Sequence, residues 1–160
     1  MATKQQSQFE RLVARNPRVE QRFEIEERLE AGLVLTGSEV KSLRAGHVSL
    51  EGGYATIEDD GCFLCDVYFA PYSQSGVWGH DPRRKRRLLL HRREIERWRG
   101  RVAMKGYTIV PLRIYFKQRW AKVELGLAKG KKIHDQRERI RAEIARNEAR
   151  EAMQRFKGGR

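Results

Sequence analysis

The chain has 160 residues, with 34 Lys plus Arg against 21 Asp plus Glu, a formal net charge of +13 and a pI near 10.3. This is the length of one domain, and 39% hydrophobic residues can bury a core, so the composition excludes a chain that is disordered throughout. The mean hydropathy is -0.74, and no apolar run free of nearby charge is longer than Leu88 to Leu90, which excludes a transmembrane helix of about 20 apolar residues. The polar first residues indicate no signal peptide, so we expect a cytoplasmic protein with no membrane partner.

The first predicted elements are a short helix and a strand. The helix fits Gln8 to Ala14 and ends before Asn16 and Pro17, because a residue that precedes proline disfavours helical geometry. The segment RFEIEERLEAGLVL, residues 22–35, then has the alternating apolar positions of a strand.

A helix and two strands are predicted next. In TGSEVKSLRAG, Thr36 or Ser38 can cap a helix, and Gly46 suits its end. YATIEDDGCFLCDVYF, residues 54–69, predicts two strands around its Asp-Asp-Gly turn.

A loop rich in Ser, Gly and Pro, residues 71–82, leads into the most basic part of the chain. HRREIERWRGRV, residues 91–102, predicts a helix whose apolar stripe is formed by Ile95, Trp98 and Val102.

The clearest prediction is a hairpin of the strands TIVPLRIYF and WAKVELGLA, joined at residues 117–119. We expect each strand to present one apolar face. The first face contains Val110, Leu112, Ile114 and Phe116, and the second contains Ala121, Val123, Leu125 and Leu127.

Together these elements predict a mainly β fold with peripheral helices. About five short strands, one or two helices and no βαβ alternation are typical of a compact antiparallel β-barrel of the OB-fold type. A β-sandwich stays open as the alternative, because patterning does not separate the two.

Cys62 and Cys65 have C-x-x-C spacing, which invites a metal or redox interpretation. However, CFLCDVYF is predicted to be a strand, where residues three apart point in opposite directions. No second cysteine pair or clustered histidine completes a zinc site. We therefore expect buried or half-buried structural cysteines.

The positive charge is concentrated in two segments. Residues 83–101 hold ten Lys/Arg and two acidic residues, a net charge of +8, and residues 129–160 hold eleven and five, a net charge of +6. Residues 1–82 have a net charge of -5. Concentrated positive charge attracts a polyanion, so we expect a nucleic acid partner. A solvated face is the alternative for either segment taken alone.

The segment after Ala128 has good helix formers but no broad apolar stripe. At about 100° per residue, Ile133, Ile140 and Ile144 fall on one side of such a helix, and its other apolar residues lie toward the opposite side. We therefore predict two regions: residues 1–130 as the barrel, and residues 131–160 as a basic tail that is disordered when free and helical when bound. A helix packed on its own domain is the alternative.

Four blocks of sequence resemble the small protein B (SmpB) family, the SsrA-binding proteins. They are residues 30–46, 81–90 and 110–132, except for residues 117–120, and the HDQR of residues 134–137. They occur in the same order over nearly the whole chain, which makes the resemblance specific. It implies an OB-type barrel with a basic tail, and an adaptor that binds the tRNA-like domain of transfer-messenger RNA (tmRNA, or SsrA RNA) and delivers it to stalled ribosomes in trans-translation.

The resemblance also implies the RNA contacts. Asn16, Glu30 and Leu89 match family positions associated with RNA binding, and the implied phosphate contacts around them are Lys41, Arg44, Arg83, Arg84, Lys85, Arg86 and Arg87. A barrel that holds a folded RNA recognises shape, phosphate and 2′-hydroxyl groups. Without the resemblance, Glu30 would be an ordinary surface carboxylate and Leu89 a core residue.

In the family the tail enters the decoding region and mRNA channel of the ribosome, so rRNA is the second implied partner. His134 matches the family histidine that stacks near a ribosomal base. Met153, with Phe156, would anchor the distal helix. The implied ribosome-binding residues are Lys131, Lys132, His134, Asp135, Arg137 and Met153.

The chain departs from the family pattern at three positions. Gln136 stands where the family commonly has Lys, which removes one cation from the tail. Pro17 and Gln21 replace a usual Lys and His, which weakens the assignment of RNA contacts near residue 20.

Two other functions are alternatives to the adaptor. An enzyme would need paired carboxylates or a positioned acid and base, but Asp59 and Asp60 are explained by turn chemistry. We therefore expect no catalysis, metal, cofactor or small-molecule substrate. A generic OB-fold module for single-stranded nucleic acid is the second alternative.

Overall fold

The computed structural model describes residues 10–71, 81–130 and 133–158, with side chains up to residue 130 and from 140 to 156. Contacts divide the chain into two compact units, Met1–Gly130 and Lys131–Arg160, and each is described by itself. The described elements of the first unit are β1 (Glu10–Arg15), α1 (Val19–Arg22), β2 (Phe23–Leu33), α2 (Gly37–Arg44), β3 (Val48–Ser49), β4 (Tyr54–Glu58), β5 (Gly61–Cys65), β6 (Tyr68–Phe69), β7 (Arg86–Leu89), α3 (Arg92–Val102), β8 (Tyr107–Lys117) and β9 (Trp120–Gly130).

Six strands close into a barrel. β8 pairs with β4, β4 with β5, β5 with β7, β7 with β2 and β2 with β9, and β9 returns to β8. Every pairing is antiparallel. β1 adds to β8, while β3 and β6 form a separate two-stranded sheet. Because a sandwich would leave its two sheets unjoined, this pairing confirms the antiparallel barrel.

The main core fills the barrel and includes fully buried side chains of β5, β8 and β9, among them Leu64, Ile114 and Leu125. Trp98 of α3 also belongs to this core, and its indole Nε1 donates a hydrogen bond to Glu27 Oε2 at 2.8 Å. Since a buried indole N–H needs an acceptor, Glu27 fixes the side on which α3 packs.

The predicted apolar face of β9 is confirmed, but that of β8 is wrong in its first half. Ile114 and Phe116 belong to the main core, whereas Val110 and Leu112 pack with Val19 in a second cluster. The register of β8 against β9 shifts between Pro111 and Arg113. The extra residue of this β-bulge exchanges the two faces of the strand, which apolar alternation does not reveal.

The predicted helix at Gln8 to Ala14 is also wrong. Residues 10–15 form β1, which pairs with β8 from Glu10 opposite Lys117 to Arg15 opposite Arg113. A segment of six residues has little intrinsic preference, so pairing with the long edge of β8 determines its conformation.

The helix α2 begins and ends as predicted. Thr36 caps it, since Thr36 Oγ1 accepts from Glu39 N at 3.4 Å and Thr36 N donates to Glu39 Oε1 at 2.8 Å. Gly46 follows the last turn with φ +77°, a left-handed conformation that glycine adopts at low cost.

The predicted strands of residues 54–69 are confirmed with one interruption. Asp66 has φ 56° and separates β5 from β6. Cys62 is fully buried and Cys65 is half-buried, both as free thiols, as predicted. Burial raises the pKa of the Cys62 thiol to about 11, which keeps it protonated. Of the predicted loop, residues 72–80 lie outside the described residues.

The second unit contains the helix α4, Ile133–Gly158. All of its side chains from residue 140 to 156 are exposed. Among the helices that the structure describes, none has the length and apolar character needed to cross a bilayer.

Candidate nucleic-acid interface

The basic segment that begins at Arg83 forms a turn and then the strand β7, between β5 and β2. Side chains alternate along a strand, and here they divide into two sets. Arg86 and Leu88 are buried, while Arg87 and Leu89 are exposed. The sequence predicted five equivalent cations at residues 83–87, but the strand assigns them to different surroundings.

Arg86 is fully buried and forms an ion pair through Nε with Oε2 of Glu39, which is fully buried as well. Its Nη1 donates to Val67 O and Arg84 O, both at 2.9 Å, and its guanidinium lies 3.9 Å from the centroid of the Phe69 ring. These donors are therefore used inside the protein. Arg86 was predicted to contact RNA, and this burial removes it from the candidate contacts.

Glu39 links α2 to the basic segment. Burial alone would raise the pKa of its carboxyl group, but the hydrogen bonds from Arg84 and Thr36 and the charge of Arg86 outweigh that effect and hold the pKa at about 2. Arg84 Nη2 lies 2.7 Å from Glu39 Oε1. The carboxylate thus caps α2, neutralises Arg86 and fixes the start of β7.

Lys85 and Arg87 lie on the outer surface of the barrel. They flank the ring of Phe63, with Lys85 Nζ 4.4 Å and the Arg87 guanidinium carbon 5.2 Å from its centroid. Lys85 pairs with Glu58, and Arg87 Nη2 lies 3.9 Å from Asp60 Oδ2. An RNA phosphate would therefore compete with two carboxylates at this site.

Arg83 and Arg84 belong to the turn before β7. Arg83 is exposed, although its Nη1 donates to Asp66 O at 3.2 Å. Arg84 is partly exposed, with 37% of its side-chain surface accessible. Both keep surface that an RNA backbone can reach.

Leu89 is 58% exposed and lies opposite Gly32 of β2, whereas its neighbour Leu88 is buried. A Cβ added at Gly32 would meet Leu89 Cβ at 3.1 Å, so the absence of a side chain at Gly32 makes room for Leu89. The core interpretation of Leu89 is wrong. This leucine presents an apolar surface to solvent beside the basic segment.

Glu30 lies on the outer surface of β2, two residues before Gly32. Its carboxylate accepts a hydrogen bond from the hydroxyl of Tyr115 and lies 3.6 Å from Lys117 Nζ and 4.0 Å from Lys122 Nζ. Burial, and then the hydrogen bond to Glu30, raise the pKa of Tyr115 well above its usual value, so it stays a donor. Two ammonium groups outweigh one carboxylate, so this cluster does not repel phosphate.

Asn16 acts as a connector at the end of β1. Its Nδ2 donates to Pro111 O at 3.0 Å, and its backbone N–H donates to Leu112 O at 2.9 Å, both at the bulge of β8. It also lines two neighbouring cavities of about 530 and 360 Å³. The side-chain amide nitrogen of Asn16 therefore already donates a hydrogen bond within the folded chain. A ligand would approach Asn16 through the two cavities.

Lys41 and Arg44 are exposed in the second half of α2. The guanidinium carbon of Arg44 lies 5.8 Å from the centroid of Phe116. Arg44 and Phe116 line a cavity together with two arginines that are not among the predicted RNA contacts, Arg11 and Arg119. Sequence patterning does not indicate Arg11, because it predicts a helix in place of β1, and it gives Arg119 no role beyond the hairpin connection.

The tail residues are described in part. Met153 is 70% exposed and Phe156 is 93% exposed. Lys131 and Lys132 lie outside the described residues, and His134, Asp135 and Arg137 belong to α4 but their side chains are not described. The ribosomal roles of these residues stay predictions.

The described part of the chain contains no group of three or more His, Cys, Asp or Glu side chains placed to hold a metal ion. The chemistry that the described site offers is that of cations, one exposed leucine and a neutralised carboxylate.

Comparison with known proteins identifies the family. The family model described as SmpB protein matches residues 13–155. The chain belongs to the SmpB family. The SsrA-binding protein of Chloroflexus aurantiacus is 57% identical over 139 residues, which cover 86% of this chain and 84% of that protein. The SsrA-binding protein of Roseiflexus sp. (strain RS-1) is 54% identical, and the match covers 92% of this chain and 91% of that protein.

A solved structure supports the same assignment. It is described as "tmRNA-SmpB: a journey to the center of the bacterial ribosome" and superimposes with a TM-score of 0.65 at 52% sequence identity. The match covers 76% of this chain and 85% of that one. The predicted membership of the SmpB family is confirmed.

The barrel brings together some of the positions that the resemblance to the SmpB family singled out. Glu30 and Leu89 lie on the outer surface of the neighbouring strands β2 and β7. Asn16 lies elsewhere, at the bulge of β8. The position of Glu30 among lysines and the exposure of Leu89 depend on strand register, so the sequence alone did not reveal them.

Proposed function

We propose that this chain is an adaptor that binds the tRNA-like domain of tmRNA and delivers it to stalled ribosomes for trans-translation. The observation that carries the proposal is 57% identity with an SsrA-binding protein over 86% of the chain. The related solved structure, whose description joins tmRNA, SmpB and the bacterial ribosome, supports both partners. Since ribosomes work in the cytoplasm, we place the function there. The function requires no bond to be made or broken.

The outer surface of the barrel suits a folded RNA. Exposed Leu89 can pack on a ribose or base, and the cluster of Glu30 with Lys117 and Lys122 offers cations together with a carboxylate acceptor for 2′-hydroxyl or base donors. Arg87 lies on the same outer face of β7 as Leu89, and the other cations belong to the turn before β7 and to α2. The proposed RNA contacts are therefore Glu30, Lys41, Arg44, Arg83, Arg84, Lys85, Arg87 and Leu89, with Asn16 beside its two cavities.

We propose that the tail carries the ribosomal part of the function, in the decoding region and the mRNA channel. The helix α4 leaves Ile140, Ile144, Met153 and Phe156 more than half exposed, so its apolar side chains have surface left for a partner. Ordering a free segment costs about 1–2 kcal/mol per residue, so binding would require many simultaneous contacts. An occupied mRNA channel would prevent those contacts, which makes binding conditional on a stall.

A competition experiment tests the RNA specificity. Fluorescence anisotropy compares the affinity of the chain for the tRNA-like domain of tmRNA with that for an unstructured oligonucleotide of equal length. Both are measured at about 0.15 M salt, because affinities depend steeply on salt. The proposal expects preference for the folded RNA. Equal or tighter binding of the unstructured strand would favour a generic OB-fold module and contradict the proposal.

A matched pair of variants tests the surface. Leu89→Ala should weaken binding of the folded RNA, while Met104→Ala, which removes another exposed apolar side chain at 55% exposure, should not. Equal affinities for the two variants would show that the proposed surface is misplaced.

A further inference from the structure

A cavity of about 250 Å³ opens at one end of the barrel. Its lining is Arg11, Arg44, Phe116, Gln118 and Arg119. The three arginines come from three separate elements: β1, the C-terminal end of α2 and the turn between β8 and β9. None of the five lining residues is acidic.

The fold holds these side chains around Phe116. Arg11 is paired with Phe116 in the register of β1 and β8, which places their side chains on the same side of the sheet. Arg11 Nη2 donates to Arg44 O at 3.4 Å, and the Arg44 guanidinium lies near the Phe116 ring. Gln118 has φ 56°, and this left-handed residue begins the turn that brings Arg119 to the cavity.

The charge at this cavity differs from that on the wall of the barrel. On the wall, side-chain nitrogens of Arg28 and Arg113 lie within 3.1 Å of carboxylate oxygens of Glu124. Arg101 Nη2 lies 2.5 Å from Glu26 Oε2. The arginines at the cavity have no described carboxylate within ion-pair distance. Three like charges gathered around one space repel each other, and an anion between them would relieve that repulsion.

The size of the cavity points to a single anionic group. Pockets for whole small molecules are typically about 300–1,000 Å³, larger than this one. Guanidinium groups present paired N–H donors that match phosphate oxygens. We propose that this cavity binds one backbone phosphate of the folded RNA. The inference rests on the proposed function and adds Arg11 and Arg119 to the RNA contacts.

The salt dependence of RNA affinity tests the cavity directly. The probe is the tRNA-like domain of tmRNA, bound to the full chain over a series of salt concentrations. Because the cavity holds one phosphate, Arg119→Gln and Arg11→Gln should each lower the slope of log affinity against log salt by up to about 1, and weaken binding by up to about sixfold at 0.15 M salt. Arg119→Lys keeps the charge and should keep the slope.

Arg93→Gln is the matched control. Arg93 is exposed on α3, away from the cavity lining, and its replacement changes the net charge of the chain by the same amount. It should leave the slope unchanged. If thermal unfolding shows that Arg11→Gln does not fold, the test uses Arg119→Gln, because Arg119 lies in an exposed turn.

The outcomes separate the cavity from the proposed function. The phosphate site is wrong if Arg11→Gln and Arg119→Gln have the same salt slope as Arg93→Gln while the chain still prefers the folded RNA. That result would leave the proposed function intact. A wild-type chain that prefers an unstructured oligonucleotide would contradict the proposed function. The slopes measured on that oligonucleotide would then test the phosphate site: a lower slope in Arg11→Gln and Arg119→Gln than in Arg93→Gln would support it, and equal slopes would overturn it.

Discussion

The two units of this chain use their charged residues in different ways. In the barrel, arginines are built into the fold: Arg86 is fully buried against Glu39, and Arg113 pairs with Glu10 and Glu124 across three strands. In the tail, the side chains described from residue 140 to 156 are all exposed and form no ion pair with one another. In the barrel, ion pairs therefore connect separate elements of the fold, whereas the described side chains of the tail stay exposed to solvent.

This difference has consequences for folding. The barrel buries a large apolar core and can be stable by itself, as expected for a closed sheet of its size. A solvated helix such as α4 gains little from packing, so its free energy of formation is marginal in water. We therefore infer that the barrel is formed before it meets RNA, and that the tail becomes ordered by its ribosomal partner.

The largest expected effect comes from removing the tail. Deletion of residues 133–160 should abolish peptide tagging on stalled ribosomes, because no cationic extension would reach the decoding region. The affinity for the tRNA-like domain, measured on the same truncated chain, should stay close to that of the full chain. An equal collapse of RNA binding would contradict the division of labour.

The next largest effect is on the buried ion pair. Glu39→Gln leaves the Arg86 guanidinium buried without a counter-charge, which should lower the free energy of unfolding by about 3–5 kcal/mol in urea denaturation. Glu20→Gln is the control, since its ion pair with Arg28 lies at the surface and should contribute at most about 1 kcal/mol. Similar losses in both variants would mean that the buried pair has no special role.

Two adjacent leucines separate stability from binding. Leu88→Ala creates a core cavity and should lower the free energy of unfolding by about 2–5 kcal/mol. Leu89→Ala should change it by less than about 0.5 kcal/mol and weaken RNA binding instead. If Leu89→Ala destabilised the chain as much as Leu88→Ala, the outward orientation of Leu89 would be wrong.

Acid should weaken the barrel through Glu39. Its pKa is about 2 in the folded chain against an ordinary value of 4.5, so the charged carboxylate stabilises the fold above about pH 4.5. That stabilisation is lost as the pH falls toward 2, and the shift corresponds to about 3 kcal/mol. Wild-type chain should lose that much more stability than Glu39→Gln over this range, and parallel pH profiles would refute the assignment.

Local signals in the sequence were sufficient for several elements. Thr36 or Ser38 as a cap predicted the start of α2, and strict alternation predicted β9 and its buried face. In both cases the determinant lies within one element, so it is visible without knowledge of its neighbours.

Features that depend on a second strand were missed. Five consecutive cations at residues 83–87 hide the alternation of β7, because Arg86 occupies an inward position that apolar residues usually take. The bulge at Leu112 and the pairing of β1 depend on register in the same way. The candidate site inherits this limit, since Glu30 and Leu89 were found only through the resemblance to a family.

The most direct test of the division between the two units is ¹⁵N relaxation of the full chain without RNA or ribosome. We expect backbone order parameters near 0.85 in the barrel strands and below about 0.6 through most of residues 133–158. Order parameters in the tail as high as those of the barrel, with nuclear Overhauser contacts that tie its side chains to the strands, would contradict it.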